Sequence, residues 1–505
     1  MDHPKRRLIL HMDMNNTVIM KDEANGYSLD FTLSKILASE CWGNIVEKEG
    51  AKIWKLNFNQ LSFLRPDPAL VSYDEFADMQ YPQKTPEEEP DPARRQVLNK
   101  ENKISYCKLI SEFTLPGKPG YKFKSLFDKM QRCLSIPKPI CDDYGLIPTD
   151  EEEKKEEDTE EKKIVITDEE DRDIIKQLFY GGKWLLIPSF YRMIQELKKS
   201  KREFSIVFRT FGSELSNVID EFNLFCKGNH PLFNGKHGTP RLRFDGKSKS
   251  RDMIIEDYNK GYISRNPGSE DILVLGTLNR HPNSEDPEEY HAGAMDEGIV
   301  SIYRDFPSIQ VAIQERLHRT ASMAISDDFD YWYQNGKQSE YGKLLLIDQT
   351  DYSTLQIFFD DNIGVDYGRI VDVRDVVTGE PIPYKKAINK FIFRVDPYRA
   401  IVEADYFYKS ILGCEENWNE DIRKTEAGEV DEDKGVVEEI SEWDKLQQAP
   451  TEEYLSRVIL PVLLPGLQVL DIERPDDPIS FLALYVLKHQ DMIKLPAPTP
   501  VVNNI

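Results

Sequence analysis

Several short apolar runs in this chain stop on an acid or a hydroxyl, and that pattern constrains the fold more than any other feature. Leu8–Met12 leads straight into Asp13, Leu355–Phe359 into Asp360 and Asp361, and Phe204–Phe208 through Arg209 to Thr210. Short apolar runs of this kind read as strands buried on both faces, as strands of a parallel sheet are. Ile272–Leu275 and Leu344–Ile347 read the same way. Helical patterns lie between them at about Phe190–Ser200, Leu215–Phe225 and Val311–Ala324. Strands alternating with helices predict an α/β fold with a doubly wound, mostly parallel sheet. The stretch from Met20 to Lys163 fits the alternation poorly and reads as a large insertion at about 20–163.

A chain of 505 residues is too long for one simple core, and composition marks where it divides. Tyr81–Arg95, YPQKTPEEEPDPARR, has turn and linker chemistry. Asp150–Lys163 is a run of Asp, Glu and Lys broken only by Thr159, and reads as a disordered surface loop. Residues 415–449 are acidic and read as a linker with some helix around Val436–Leu446. The predicted organisation is therefore an α/β body over 1–414, an acidic linker over 415–449, a helix–loop–helix over 450–490 and a tail over 491–505.

The net charge of −24 argues against a non-specific grip on nucleic acid, which needs clustered Lys and Arg, and against an anionic membrane surface. The basic stretch Lys236–Arg251 reads as a solvated hairpin paired with local carboxylates. The greasiest stretch, Val458–Leu470, contains Pro461, Pro465 and Gly466 and is no membrane span. None of the six cysteines forms a Cys-x-x-Cys pair, so reduced thiols in a cytoplasmic compartment are expected. His281, His291 and His318 lack metal-ligand spacing.

The chemistry concentrates at the strand ends. In an open α/β sheet the carboxyl ends of the strands face the ligand crevice. A carboxylate there, Asp13, is a candidate nucleophile toward phosphorus. Asp360 and Asp361 beside it offer hard oxygens suited to Mg²⁺. Thr210 brings a hydroxyl to the same edge. Together these resemble the haloacid dehalogenase-like superfamily over roughly residues 6–375, with the insertion where that family carries its first cap. The resemblance implies Asp13 as nucleophile and metal ligand, Thr210 as the second motif, Asp360 and Asp361 as metal acids and Mg²⁺ as cofactor. It also implies a catalytic Lys, for which Lys343 is the candidate and Lys337 the alternative. One position departs from the pattern. Phosphatases of the family carry a second Asp two residues after the nucleophile as general acid and base, and here Asn15 stands in that place. An amide cannot shuttle a proton, a contribution of ~10²–10⁴-fold, so a degenerate pocket that hydrolyses phosphomonoesters poorly or not at all is expected.

The C-terminal segment, TEEYLSRVILPVLLPGLQVLDIERPDDPISFLALYVLKHQ, begins like an N-capped helix at Thr451. Tyr454, Leu455, Val458, Ile459 and Val462 form an apolar stripe, Pro465-Gly466 interrupts it, and Arg474–Pro478 reads as a turn. Ile479, Phe481, Leu482, Leu484, Tyr485 and Leu487 then cover most of a second helix. Two such helices cannot bury this surface alone. The segment closely resembles the dumpy-thirty motif of histone methyltransferase complexes and ciliary radial spokes. The resemblance implies dimerisation into a four-helix bundle and a groove for a partner's amphipathic helix, with Tyr454, Leu455, Val458, Ile459, Leu482, Leu484 and Tyr485 at the contacts. The expected function is a scaffold component of a ciliary axonemal assembly of the radial-spoke type, in the cytoplasm and cilium. The alternatives are a Mg²⁺-dependent phosphohydrolase recruited by the same tail and a histone methyltransferase complex subunit.

Overall fold

The computed structural model describes residues 6–20, 26–48, 50–146, 169–236, 239–247, 250–265, 271–282, 285–365, 367–426, 460–475 and 477–489. The chain separates into two compact units, Met1–Trp418 and Asn419–Ile505. In chain order the strands are β1 (Arg7–Asp13), β2 (Trp42–Lys48), β3 (Ala51–Leu56), β4 (Val71–Ser72), β5 (Phe204–Thr210), β6 (Lys260–Ser264) and β7 (Ile272–Leu275). They continue with β8 (Ser301–Arg304), β9 (Ser322–Ser326), β10 (Lys343–Ile347), β11 (Thr354–Asp360), β12 (Val371–Asp375) and β13 (Ile392–Arg394).

Eight strands form one sheet in the order β13-β11-β1-β5-β9-β6-β7-β8. The six from β13 to β6 pair parallel, and β7 and β8 extend the edge antiparallel. The expected mostly parallel α/β sheet is therefore present. Its strands are buried on both faces: Leu8, Ile9, Leu10, Ile206, Val207, Phe208, Ile357, Phe358 and Phe359 are all fully buried. The chain runs β1, β5, β9 in one direction across the sheet and then returns to the other side of β1 for β11 and β13. The order thus reverses between β1 and β11, and a crevice opens at the carboxyl ends of strands at such a switch point.

On one face, helix Phe306–Arg319 and strand β10 cover the sheet, and Leu344 and Leu346 pack with Ile9, Val207, Ile309, Leu317 and Met323. Between β1 and β5 the chain leaves the sheet. Residues 26–146 build a separate three-stranded antiparallel sheet, β3-β2-β4, with helices Leu29–Glu40, Pro92–Ser111 and Lys124–Cys133.

Several expectations need correction. Ile272–Leu275 is β7, antiparallel to both neighbours. Leu344–Ile347 lies outside the main sheet and pairs parallel with β12 in a two-stranded layer. The helical pattern expected to reach Ala324 ends at Arg319, because Thr320 is extended (φ −125°, ψ 132°), and Ala324 belongs to the central strand β9. Within the expected linker at Tyr81–Arg95, Asp91 caps a helix that starts at Pro92. Residues 415–426 are helical, since helix Tyr406–Glu426 carries the body past residue 414, with Cys414 and Trp418 buried. The basic stretch does pair with acids, Arg243 with Asp245 at 2.7 Å and Arg251 with Glu203 at 3.2 Å. The acidic run Asp150–Lys163 and the helix expected around Val436–Leu446 lie outside the described residues. No helix among the described residues is long and apolar enough to cross a membrane.

Candidate functional site

Asp13 closes β1 and Asp360 closes β11, and because these strands pair directly (Met12 opposite Phe359) the two carboxylates meet across the switch point. Lys343, the first residue of β10, reaches down between them. Its Nζ lies 2.5 Å from Asp13 Oδ1 and 2.8 Å from Asp360 Oδ2. All three residues are buried. Carboxylate oxygens of Asp13, Asp360 and Asp361 lie within 4.8 Å of one another. The Thr17 hydroxyl donates to Asp13 Oδ2 at 3.2 Å and accepts from the Asp361 amide at 3.3 Å, and the Asn362 amide holds Asp360 Oδ1 at 2.8 Å.

The electrostatics follow from three carboxylates around one ammonium. Burial and then the charge of Asp360 push Asp13 up to about 7, with Lys343 opposing. Burial, Asp360 and Asp13 likewise raise Asp361 well above the carboxylate range. Burial alone depresses Lys343, but the charges of Asp13, Asp360 and Asp327 outweigh it, and the ammonium is held above its ordinary value. Lys337 takes no part. It adopts φ 59° and stacks over Tyr333 and Trp332, 5.1 and 6.0 Å from their centroids.

Three side chains fix the strand that delivers Lys343. Arg265 Nη1 donates to Gly342 O at 2.7 Å, both Arg209 terminal nitrogens donate to Leu344 O at 3.1 Å, and Gln356 Nε2 donates to Leu346 O at 2.8 Å. Side chains from β5 and β11, with Arg265 just after β6, thus take the place of a neighbouring strand along one edge of β10. Arg209 is itself buried, gripped bidentately by Asp327, and touches His11 Nδ1 at 3.4 Å. Burial and Arg209 push His11 down to about 3, so the imidazole is neutral. Sequence reasoning passed over Arg209, although a cation inside an apolar strand is a visible signal of a buried ion pair.

Thr210 closes β5, buried at the same edge, and its hydroxyl accepts from the Gly212 amide at 2.8 Å. Asn15 is in the turn after β1, where its Nδ2 donates to Glu214 Oε1 at 3.2 Å. A divalent cation fits this donor set: hard oxygens, two of the three acids buried, and one ammonium against three acids.

The C-terminal unit is built from helices Leu460–Glu473 and Pro478–Lys488. The first runs through Pro465, so the interruption expected at Pro465-Gly466 does not occur. Gly466 is where the two helices touch: a Cβ there would lie 2.8 Å from the Tyr485 ring and 2.9 Å from Leu482. Asp477 caps the second helix by accepting from the Ser480 amide at 3.1 Å, with Pro478 in its first turn. Leu464, Leu467, Ile472, Ile479 and Leu484 remain exposed, Ile472 and Ile479 by 78% each, which is unusual for so short a helix pair. Residues 450–491 match the family model of the Dpy-30 motif. The chain carries a Dpy-30 motif. Over 57 residues it is 33% identical to the Set1 complex component sdc1 of Schizosaccharomyces pombe, a match covering 10% of this chain and 52% of that protein. The chain therefore spans about half the length of that relative. No solved structure matches the chain. Within the Dpy-30 motif, Leu482 and Tyr485 face the neighbouring helix at Gly466, whereas Leu484 is 66% exposed. Tyr454, Leu455, Val458 and Ile459 lie outside the described residues.

Proposed function

We propose that this chain is a subunit of a multi-protein complex, held there by its Dpy-30 motif. The observation that carries the reading is the motif itself on a helix pair with five exposed large apolar side chains. A second copy of the motif covers part of that surface in a four-helix bundle, and an amphipathic helix of a partner covers the rest. Light scattering on the full chain tests this. The wild type is expected to be a dimer and the Leu482→Asp/Leu484→Asp variant a monomer, and a monomeric wild type would remove the reading. The sdc1 match supports a Set1-type histone methyltransferase complex as the assembly; a ciliary axonemal assembly is the alternative. Co-purification from nuclear and ciliary fractions separates the two.

The crevice carries the second part of the proposal, a Mg²⁺-dependent phosphohydrolase of the haloacid dehalogenase-like type delivered to that complex. Its support is Lys343 bridging Asp13 and Asp360, at a switch point where the parallel strands run β13-β11-β1-β5-β9. Asp13 attacks phosphorus, Lys343 offsets the charge of the phosphoryl oxygens, and Thr210 donates a hydrogen bond to one of them. Mg²⁺, held by Asp13, Asp360 and Asp361, would neutralise the incoming phosphate. Loss of phosphate-ester turnover in Asp13→Asn tests this part separately from the docking.

A further inference from the structure

Asn15 removes the proton carrier from the turn after β1, but another carboxylate stands against it. Glu214 follows β5 at the start of helix Leu215–Lys227 and is 3% exposed. Its Oε1 accepts from Asn15 Nδ2 at 3.2 Å. Its Oε2 is buried with no hydrogen-bond partner among the described residues, and Asn15 Oδ1 is in the same condition. Gly212 makes room for this carboxylate, since any side chain there would run into Glu214 Oε2. Two neighbouring buried acceptors without a donor are what proteins avoid, and a hydroxyl-bearing ligand would satisfy them. Glu214 reaches the position through the loop that follows Thr210, so sheet and loop bring it beside the residue two places after Asp13.

We propose that Glu214 is the general acid and base of this crevice and that Asn15 is the positioning residue that holds it. The inference rests on the phosphohydrolase reading. Asp13 forms a bond to phosphorus as the bond to the leaving oxygen breaks. The electron pair goes to that oxygen, which takes the proton from Glu214 Oε2. Water then attacks the aspartyl-phosphate and gives a proton to the Glu214 carboxylate. The Asp13–phosphorus bond breaks with its electron pair returned to Asp13, and inorganic phosphate leaves. The proton that Glu214 gave to the leaving oxygen is thereby restored.

The test uses the full chain with Mg²⁺ and two monoesters, an alkyl phosphate with a poor leaving group and 2,4-dinitrophenyl phosphate with a good one. Loss of a general acid costs ~10²–10⁴-fold. Glu214→Gln is therefore expected to lose alkyl ester turnover by that factor. On the dinitrophenyl ester it should release about one equivalent of phenolate and stall with Asp13 phosphorylated, because departure needs no acid but hydrolysis of the intermediate needs a base. A purely structural role for Glu214 would not produce a burst. If Glu214→Gln does not fold, Glu214→Asp takes its place and must slow alkyl turnover at least about tenfold while keeping the burst. Alkyl turnover equal to wild type in either variant, with Asp13→Asn inactive, overturns the role of Glu214 and leaves the phosphohydrolase standing. Wild type indistinguishable from Asp13→Asn on both esters overturns the phosphohydrolase reading and this inference with it.

Discussion

Replacing Lys343 with methionine keeps the length of the side chain and removes the one charge among the described residues that balances Asp13 and Asp360 at hydrogen-bond distance. Breaking a buried ion pair by deleting one partner costs about 3–5 kcal/mol, because the remaining charge stays in a poorly solvating place. Lys343 serves two carboxylates, so the upper half of that range is expected. Unfolding entropy of about 2.1 cal/mol/K per residue gives the 418-residue unit roughly 0.9 kcal/mol/K. A fall in Tm of about 4–6 °C follows. The assay is thermal unfolding at alkaline pH, because Asp13 loses the opposing charge of Lys343 in the variant and is pushed further up than in the wild type. At lower pH the loss shrinks, because a proton on Asp13 substitutes for the missing ammonium. Adding Asp13→Asn and Asp360→Asn to Lys343→Met removes the stranded charges and should recover most of the loss, since deleting a whole buried network is often close to neutral. Mg²⁺ at a hundred times its Kd for the Lys343→Met protein should stabilise that protein by about 2.7 kcal/mol. A Lys343→Met protein that melts within about 1 °C of wild type would refute the reasoning, as would a charge-neutral triple variant no better than the single one.

His11 is held neutral in the fold, titrating at about 3 against an ordinary value of 6.5. Between these values the unfolded chain binds the extra proton, so stability falls as pH falls from about 6.5. His11→Gln is expected to flatten the stability–pH slope there by about 1.4 kcal/mol per pH unit, as read by urea titration at pH 4.5 and 6. Arg209→Met strands Asp327 and frees the Leu344 carbonyl; a loss of about 3–5 kcal/mol is expected, and faster amide exchange in β10 than in β1 would locate it. Gly466→Leu forces the two tail helices apart at Tyr485 and Leu482, so the tail should lose helical circular dichroism and the chain its self-association, while the melting of the main body stays unchanged.

The sheet is legible wherever its strands are mostly large and apolar. Leu8–Met12, Phe204–Phe208 and Leu355–Phe359 announce β1, β5 and β11, because a strand covered on both faces leaves little room for polar side chains. The central strand β9 escapes notice because Ser322, Ala324 and Ser326 are small and polar or weakly apolar. Leu317, Ala321 and Ala324 keep a helical spacing, and burial by neighbouring strands makes Ser322–Ser326 a strand. β7 and β10 are equally apolar, and nothing local distinguishes a parallel central strand from an antiparallel edge or a strand lying on the face. Partner identity is a long-range property, which the run itself does not encode. The Dpy-30 motif is the opposite case, since its capping residue, turn and apolar stripe all lie within about forty consecutive residues.

The same distinction governs the crevice. Asp13 and Asp360 declare themselves because each terminates a visible strand, and Asp361 follows directly. Lys343 opens an apolar run, and only the placement of β10 on the sheet face, fixed by Arg265, Arg209 and Gln356, carries its ammonium to the carboxylates and leaves Lys337 on its aromatic rings. Glu214 is the residue that linear reading loses altogether. It stands 199 positions from Asn15, in a loop whose only sequence signal is a glycine between a threonine and an acid. An expectation of inactivity drawn from Asn15 counts the proton carriers in one turn, whereas a parallel sheet gathers the ends of several strands at one edge. The loop after β5 sets the Glu214 carboxylate against Asn15, two residues past the end of β1. On the proposal made above, loss of an acid from one strand end is compensated without trace in its own neighbourhood. The pairing of Asn15 with Glu214 then makes a specific demand: Asn15→Asp should place two acids side by side, and it should leave Glu214→Gln less damaging than it is in the wild-type background. If the two substitutions combine additively on alkyl ester turnover, the amide and the carboxylate are not one device.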